Sequence, residues 1–114
     1  MSDILDNLAN TLEARKAADP DSSYTAKLYA GGLNKILQKV GEECTETILA
    51  ARDYQDQDGD EQRDALVGEL ADLVFHLMVM VSKLDLNYET VFDELEKRFG
   101  VSGLDEKASR THRE

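Results

Sequence analysis

Two pairs of acidic residues have the type and spacing to bind a metal ion. Glu43 and Glu46 are three positions apart, and so are Glu69 and Asp72. On a helix such a pair shares one face, where two like charges destabilise the isolated helix by ~0.2–0.5 kcal/mol. Carboxylate oxygens are the ligands that a hard divalent cation prefers, and the cation relieves the repulsion. The spacing therefore predicts a Mg²⁺ site, provided that the two segments lie side by side.

Two long helices are expected to position these acids. The apolar periodicity predicts one helix over residues 33–54 and another over 60–84, with Asp60 as the N-cap of the second. The polar segment 55–60 between them is short, so the helices can pack antiparallel and bring all four carboxylates together. Among 24 acidic residues some pairs three positions apart arise by chance. Two such pairs on adjacent helices are harder to explain by chance.

The first long helix is predicted to bury one apolar arc, with its acids at the margin. Glu43 and Glu46 fall beside this arc with Lys39, and Glu42 lies at its outer flank. The arc that we expect to face the core consists of Leu33, Ile36, Leu37, Val40, Cys44, Ile48 and Ala51. Cys44 is therefore interpreted as a small apolar filler rather than as a nucleophile.

The second long helix has a single polar stripe on its carboxyl half. Glu69, Asp72 and His76 lie within about 60° of one another, and most of the remaining circumference is apolar. A helix of this kind must be covered on more than one side. We expect a homodimer or higher homo-oligomer, and the alternative is a deeply buried core helix in a monomer. His76 is interpreted as a core-edge histidine in preference to a catalytic group.

Shorter helices complete an expected all-α fold, an antiparallel bundle of four to five helices in a single domain over residues 1–114. The expected spans run from Ser2 to a stop at 19–22, from Ser23 to a break at Gly31-Gly32, and from Asn87 to Gly100. The charged residues 104–114 are expected to form a mobile tail.

Charge and composition exclude several classes of function. With 13 Lys+Arg against 24 Asp+Glu the net charge is −11, which repels nucleic acids and anionic membrane surfaces. One cysteine cannot form an internal disulfide, so we expect a reducing, cytoplasmic location. We expect neither a signal peptide nor a membrane span.

An anionic substrate would need local cations in so acidic a chain. The sequence has neither a P-loop nor a dinucleotide-binding glycine motif, so scattered basic residues are the candidates, although each one alone also fits a solvated surface charge. The predicted substrate-binding residues are Lys27, Lys39, Arg98, Lys107 and Arg110.

The acid pattern resembles the magnesium-binding motif of the all-α nucleoside-triphosphate pyrophosphatase (MazG-like) superfamily. Within that superfamily, residues 23–28, 39–43, 69–77 and 102–110 are similar to the phosphoribosyl-ATP pyrophosphatase family. The resemblance covers nearly the whole chain. It implies hydrolysis of phosphoribosyl-ATP to phosphoribosyl-AMP and pyrophosphate by attack at the α-phosphorus, the second step of histidine biosynthesis.

The resemblance also implies roles for individual residues. Five acidic residues would be catalytic, four of them as Mg²⁺ ligands and Glu42 as a base or an additional ligand. The four ligands would be Glu43, Glu46, Glu69 and Asp72. Lys39 would contact a phosphate or tune the carboxylates, and the tail with Lys107 and Arg110 would close over the substrate.

Two other functions remain open at the level of sequence. A housekeeping pyrophosphatase for ordinary or noncanonical nucleoside triphosphates needs the same four acids. An acidic helical docking module without catalysis is the alternative outside the enzymes, although such a module gains little from carboxylates that converge at a core margin.

Overall fold

The structure is a computed structural model that describes residues 3–100, and all regular elements in this range are helical. Five α-helices are joined by short connections, with a 3-10 turn at Pro20–Ser22. The helices are α1 Asp3–Arg15, α2 Tyr24–Gly31, α3 Leu33–Asp56, α4 Asp60–Lys83 and α5 Tyr88–Phe99. The predicted all-α bundle is confirmed.

Helices α3 and α4 form a long hairpin that is the framework of the molecule. Only three residues separate them, so they run antiparallel along most of their length and make the most extensive contact between described elements. The second half of α4 continues into the core, where α1, α2 and the start of α5 pack around it. The core side chains are Leu12, Leu28, Tyr29, Ile36, Met78, Val79 and Tyr88.

Predicted helix ends are confirmed at α2 and α5. The Ser23 side chain accepts a hydrogen bond from the Ala26 backbone N–H at 3.1 Å, and Asn87 accepts one from Glu89 at 2.9 Å. At the predicted break between α2 and α3, Gly32 has a φ of 87°. Because this conformation is strained for residues with a Cβ atom, glycine allows α3 to start immediately after α2.

The predicted cap of α4 is wrong by one residue. Gly59 is the N-cap, in an extended conformation, and no side chain caps this end of the helix. Asp60 is the first helical residue, so its carboxylate lies near the positive end of the helix dipole. Gly59 takes the cap position because its backbone is extended while its carbonyl oxygen accepts the first helical hydrogen bond, from the Arg63 N–H at 3.0 Å.

The predicted inward arc of α3 is also partly wrong. Ile36 is fully buried, but Leu37, Ile48 and Ala51 are exposed, and Glu43 is buried in their place. The physical reason is that the main packing partner of α3 is α4, with α2 as a smaller one, and the contact with α4 runs along a line through Glu43. Within residues 3–100 no element covers the other apolar side of α3.

Helix α4 is apolar enough by length and composition to cross a membrane, with a mean hydropathy of 1.7 over its most apolar window. The central helix of a soluble bundle has the same composition. Here α4 packs along α3, carries Glu69 and Asp72 in mid-helix, and buries His76. These features are those of a central bundle helix.

Candidate metal centre

The α3–α4 hairpin brings three of the four predicted metal ligands together. Glu43 of α3 and Glu69 and Asp72 of α4 each offer one carboxylate oxygen, and these three oxygens lie within 4.8 Å of one another. The antiparallel packing that the short connection requires thus converts two distant sequence pairs into one cluster, which we call the acid cluster.

A cross-helix hydrogen bond sets the register of the two helices at this level. The Thr47 hydroxyl lies 2.8 Å from the backbone carbonyl oxygen of Glu43 and 3.3 Å from that of Glu69. One threonine therefore bridges the two turns that carry the acids. Sequence reasoning missed Thr47, although its place one turn after Glu43 on the same helix face was a usable signal.

The acid cluster is electrostatically unfavourable in the absence of a cation. The Oε2 atoms of Glu43 and Glu69 are buried and have no hydrogen-bond partner. Burial, and next the Glu46 carboxylate, raises the pKa of Glu43 above its ordinary value. The pKa of Glu69 is raised for the same two reasons. Buried carboxylates without partners are costly, so a ligand that supplies positive charge fits this site.

Glu46, the fourth predicted ligand, lies at the edge of the acid cluster. Its side chain is exposed, and its carboxylate is close enough to Glu43 and Glu69 to raise the pKa of both by hydrogen bonding and by charge. A small groove of about 430 Å³ runs past Glu46 and Glu42, and all of its lining residues belong to α3. In a single chain this side of the site is therefore open.

Lys39 and Glu42 form a polar pair one turn before the acid cluster. The Lys39 ammonium lies 3.1 Å from Glu42 Oε1, and Gln38 donates to the other carboxylate oxygen at 2.9 Å. Hydrogen bonds from Gln38, then from Lys39, lower the pKa of Glu42. A carboxylate with a lowered pKa is a weaker general base, so this shift does not support the predicted role of Glu42 as a base. That role stays a prediction.

Two aromatic residues that were not predicted as site residues flank the acid cluster. The Tyr24 hydroxyl lies 2.9 Å from His76 Nε2, and His76 Nδ1 lies 2.7 Å from the backbone carbonyl oxygen of Asp72. His76 is buried, as expected of a core-edge histidine, and its ring packs edge-on against Tyr24 and Phe75. The two contacts of His76 therefore link α2 to the turn of α4 that carries Asp72.

The remaining predicted substrate-binding residues are not part of the acid cluster. Lys27 is exposed on α2, and Arg98 on α5 pairs with Glu94 of its own helix at 3.0 Å. Lys107 and Arg110, with the predicted mobile tail, lie outside the described residues. The half-buried Cys44 has no disulfide partner.

One family of known proteins matches nearly the whole described chain. The family model described as phosphoribosyl-ATP pyrophosphohydrolase aligns with residues 5–99. The match begins in the first turn of α1 and ends with α5, so it includes all the helices and every residue of the acid cluster.

Proposed function

The chain belongs to the phosphoribosyl-ATP pyrophosphohydrolase family, and from this premise we propose that it hydrolyses its substrate with Mg²⁺ held in the acid cluster. Membership makes the protein a hydrolase of histidine biosynthesis that releases pyrophosphate. In the proposed reaction water attacks the α-phosphorus of phosphoribosyl-ATP. The bond to the β-phosphate oxygen breaks, and phosphoribosyl-AMP and pyrophosphate leave.

The two buried, unpartnered carboxylate oxygens of Glu43 and Glu69 are the observation that carries the proposal. A donor set made only of carboxylate oxygens suits a hard cation such as Mg²⁺. Glu43, Glu69 and Asp72 would hold the ion, with Glu46 as a fourth ligand. When bound, the ion neutralises charge on the phosphate oxygens and makes water more acidic.

The chain's own residues bind and orient the triphosphate. Lys39 lies one turn before Glu43 and is the basic residue that we propose contacts a phosphate oxygen. With a net charge of −11, a local cation is needed beside the metal for an anionic substrate to approach. The other proposed substrate contacts are Lys27, Arg98, Lys107 and Arg110.

We also propose that the protein acts as a homodimer or a higher homo-oligomer in the cytoplasm. Several large apolar side chains of α3 and α4 are exposed in the single chain, a pattern typical of an interface. They are Leu37, Ile48, Leu49, Val67, Leu70 and Val74. The groove beside Glu46 is lined by one helix only, so a second copy would enclose it.

The decisive experiment measures pyrophosphate release from phosphoribosyl-ATP, with Mg²⁺ and with a chelator. We expect turnover with the metal and none with the chelator, since the acid cluster alone has no positive charge to hold the triphosphate. ATP and dCTP serve as comparison substrates and should react much more slowly.

Equal turnover of dCTP would instead favour the housekeeping pyrophosphatase. Absence of Mg²⁺-dependent turnover on all three substrates, together with a stable bound partner protein, would favour the docking module. Membership of the family favours phosphoribosyl-ATP over both alternatives.

A further inference from the structure

The Tyr24 side chain has an orientation that is unusual for a surface tyrosine. Such a residue commonly packs its apolar ring on the protein and directs its hydroxyl into water. Here the hydroxyl is turned toward α4, where it lies 2.9 Å from Nε2 of the buried His76, yet Tyr24 is 51% exposed. Because the hydroxyl is engaged by His76, the exposed surface of Tyr24 is largely the apolar surface of its ring.

Contacts with α4 hold the Tyr24 ring in a fixed orientation. The ring centroid lies 5.9 Å from that of His76, which is edge-on, and 6.5 Å from that of Phe75. The His76 ring is itself fixed, because its Nδ1 lies 2.7 Å from the Asp72 carbonyl oxygen. Both aromatic neighbours belong to α4, so the side of the Tyr24 ring that faces away from α4 is open. A ring held in this way loses little conformational entropy when a ligand packs on it.

The Tyr24 ring lies beside the acid cluster, about one helical turn from Asp72. His76 follows Asp72 by four residues, which places it on the same face of α4 and about 6 Å further along the helix axis. One nitrogen of His76 contacts the Asp72 carbonyl oxygen and the other contacts Tyr24. In phosphoribosyl-ATP one ribose separates the α-phosphate from the adenine base. With the phosphates at the acid cluster, the base therefore lies next to the cluster, where Tyr24 offers an exposed aromatic surface.

We propose that the exposed ring of Tyr24 is a stacking surface for the adenine base of the substrate, and that His76 is the positioning residue that holds this ring. The inference rests on the proposed function, because it assigns a binding surface to the base of that substrate. Stacking of a base on an aromatic side chain depends on the face of the ring and tolerates any base. Tyr24 thus favours a nucleotide over a phosphate chain that has no base.

Two substitutions at Tyr24 separate the ring from the hydroxyl. Tyr24→Leu removes the aromatic ring, and we expect KM for phosphoribosyl-ATP to rise about tenfold, the effect of losing one stacked base. Because stacking holds the substrate and the transition state equally, kcat should change less than twofold. Tyr24→Phe keeps the ring and loses only the hydrogen bond to His76, so KM should rise less than threefold. Equal increases in the two variants would overturn the proposal.

The matched control is Tyr54→Leu, which removes the same ring near the end of α3, about 16 Å along the helix axis from Glu43. It should leave KM unchanged. Calorimetric titration with Mg²⁺ alone reports whether the acid cluster is intact, and Tyr24→Leu should bind the ion as the wild type does. A parallel loss of Mg²⁺ affinity would overturn the proposal. So would an unchanged KM in Tyr24→Leu when the wild-type protein is active, and that result would leave the proposed function intact.

An NMR measurement tests the contact with the base without relying on turnover. With the product phosphoribosyl-AMP and Mg²⁺ bound to the wild-type protein, the adenine protons should show intermolecular NOEs to the Tyr24 ring, and these should vanish in Tyr24→Leu. Absence of the NOEs in the wild type would overturn the stacking surface. An inactive wild-type protein that shows them would refute the proposed function and leave Tyr24 as a surface that binds the base.

Discussion

At the scale of the residue, the carboxylates of the acid cluster destabilise the folded protein when no metal is bound. Glu43 is 6% exposed, and burial, together with the charge of Glu46, raises its pKa. A raised folded-state pKa means that the folded protein holds the proton more tightly than the unfolded chain does. The stability of the metal-free protein should therefore fall as the pH rises from the ordinary value of 4.5 through the raised value.

Glu43→Gln should raise the stability of the metal-free protein and reduce its enzymatic activity. The variant cannot ionise at this position, so the metal-free protein should have a higher Tm at neutral pH and a flatter dependence of Tm on pH than the wild type. Loss of a ligand should reduce Mg²⁺-dependent pyrophosphate release by about a hundredfold or more. Thermal unfolding across pH 4–8 and steady-state assays provide the measurements.

The matched control for this variant is Glu96→Gln, at an exposed position on α5. It should leave both the activity and the pH dependence of Tm as they are in the wild type. A Glu43→Gln variant that keeps full activity would contradict the assigned ligand set.

At the scale of the element, the hairpin of α3 and α4 determines the geometry of the site. Two parts of helix α4 have different roles, since its middle carries Glu69 and Asp72 and its last turns supply Met78 and Val79 to the core. The core thus anchors one end of the helix that carries the acids. At the level of the acid cluster the two helices are joined by the Thr47 hydroxyl.

Thr47→Val should loosen this register, because valine keeps the shape of the side chain but cannot bridge the two carbonyl groups. We expect a loss of about 1 kcal/mol in the free energy of unfolding and a severalfold weaker affinity for Mg²⁺. Denaturant unfolding and calorimetric titration with Mg²⁺ measure the two effects.

The control for that change is Thr45→Val. The Thr45 hydroxyl bonds only within α3, to the Gly41 carbonyl oxygen at 3.2 Å, so its removal should leave the Mg²⁺ affinity unchanged. Equal effects of the two substitutions on affinity would show that the cross-helix bond does not position the acids.

At the scale of the whole molecule, a single copy leaves much apolar surface uncovered. Ile48 and Val67 are 67% and 58% exposed, in helices whose opposite sides are packed. Burial of such side chains in an interface contributes roughly 25 cal/mol for each Å² removed from water. The net charge of −11 disfavours association, so the apolar contribution has to exceed this repulsion.

Ile48→Glu should therefore shift the protein toward the monomer, which light scattering coupled to size-exclusion chromatography detects. Leu86→Glu is the matched control, since Leu86 is exposed in the connection between α4 and α5 and should leave the mass unchanged. A wild-type protein that is monomeric at all concentrations would contradict the proposed oligomer.

The sequence by itself was sufficient for the helices and for the acidic pairs. Helical periodicity and capping residues such as Ser23 and Asn87 depend on neighbours within one turn, so local sequence determines where α2 and α5 begin. The i, i+3 spacing of Glu43 with Glu46, and of Glu69 with Asp72, is likewise a local property. The match to one family over residues 5–99 agrees with that reading.

Only the tertiary structure decided which face of α3 is buried and which polar groups meet. Periodicity locates an apolar arc, but packing on α4 turned Glu43 inward and left Ile48 exposed. The contacts of Tyr24 with His76 and of Thr47 with Glu69 join residues 52 and 22 positions apart. Contacts over such distances depend on how whole helices pack, and the spacing of residues along one helix carries no information about that packing.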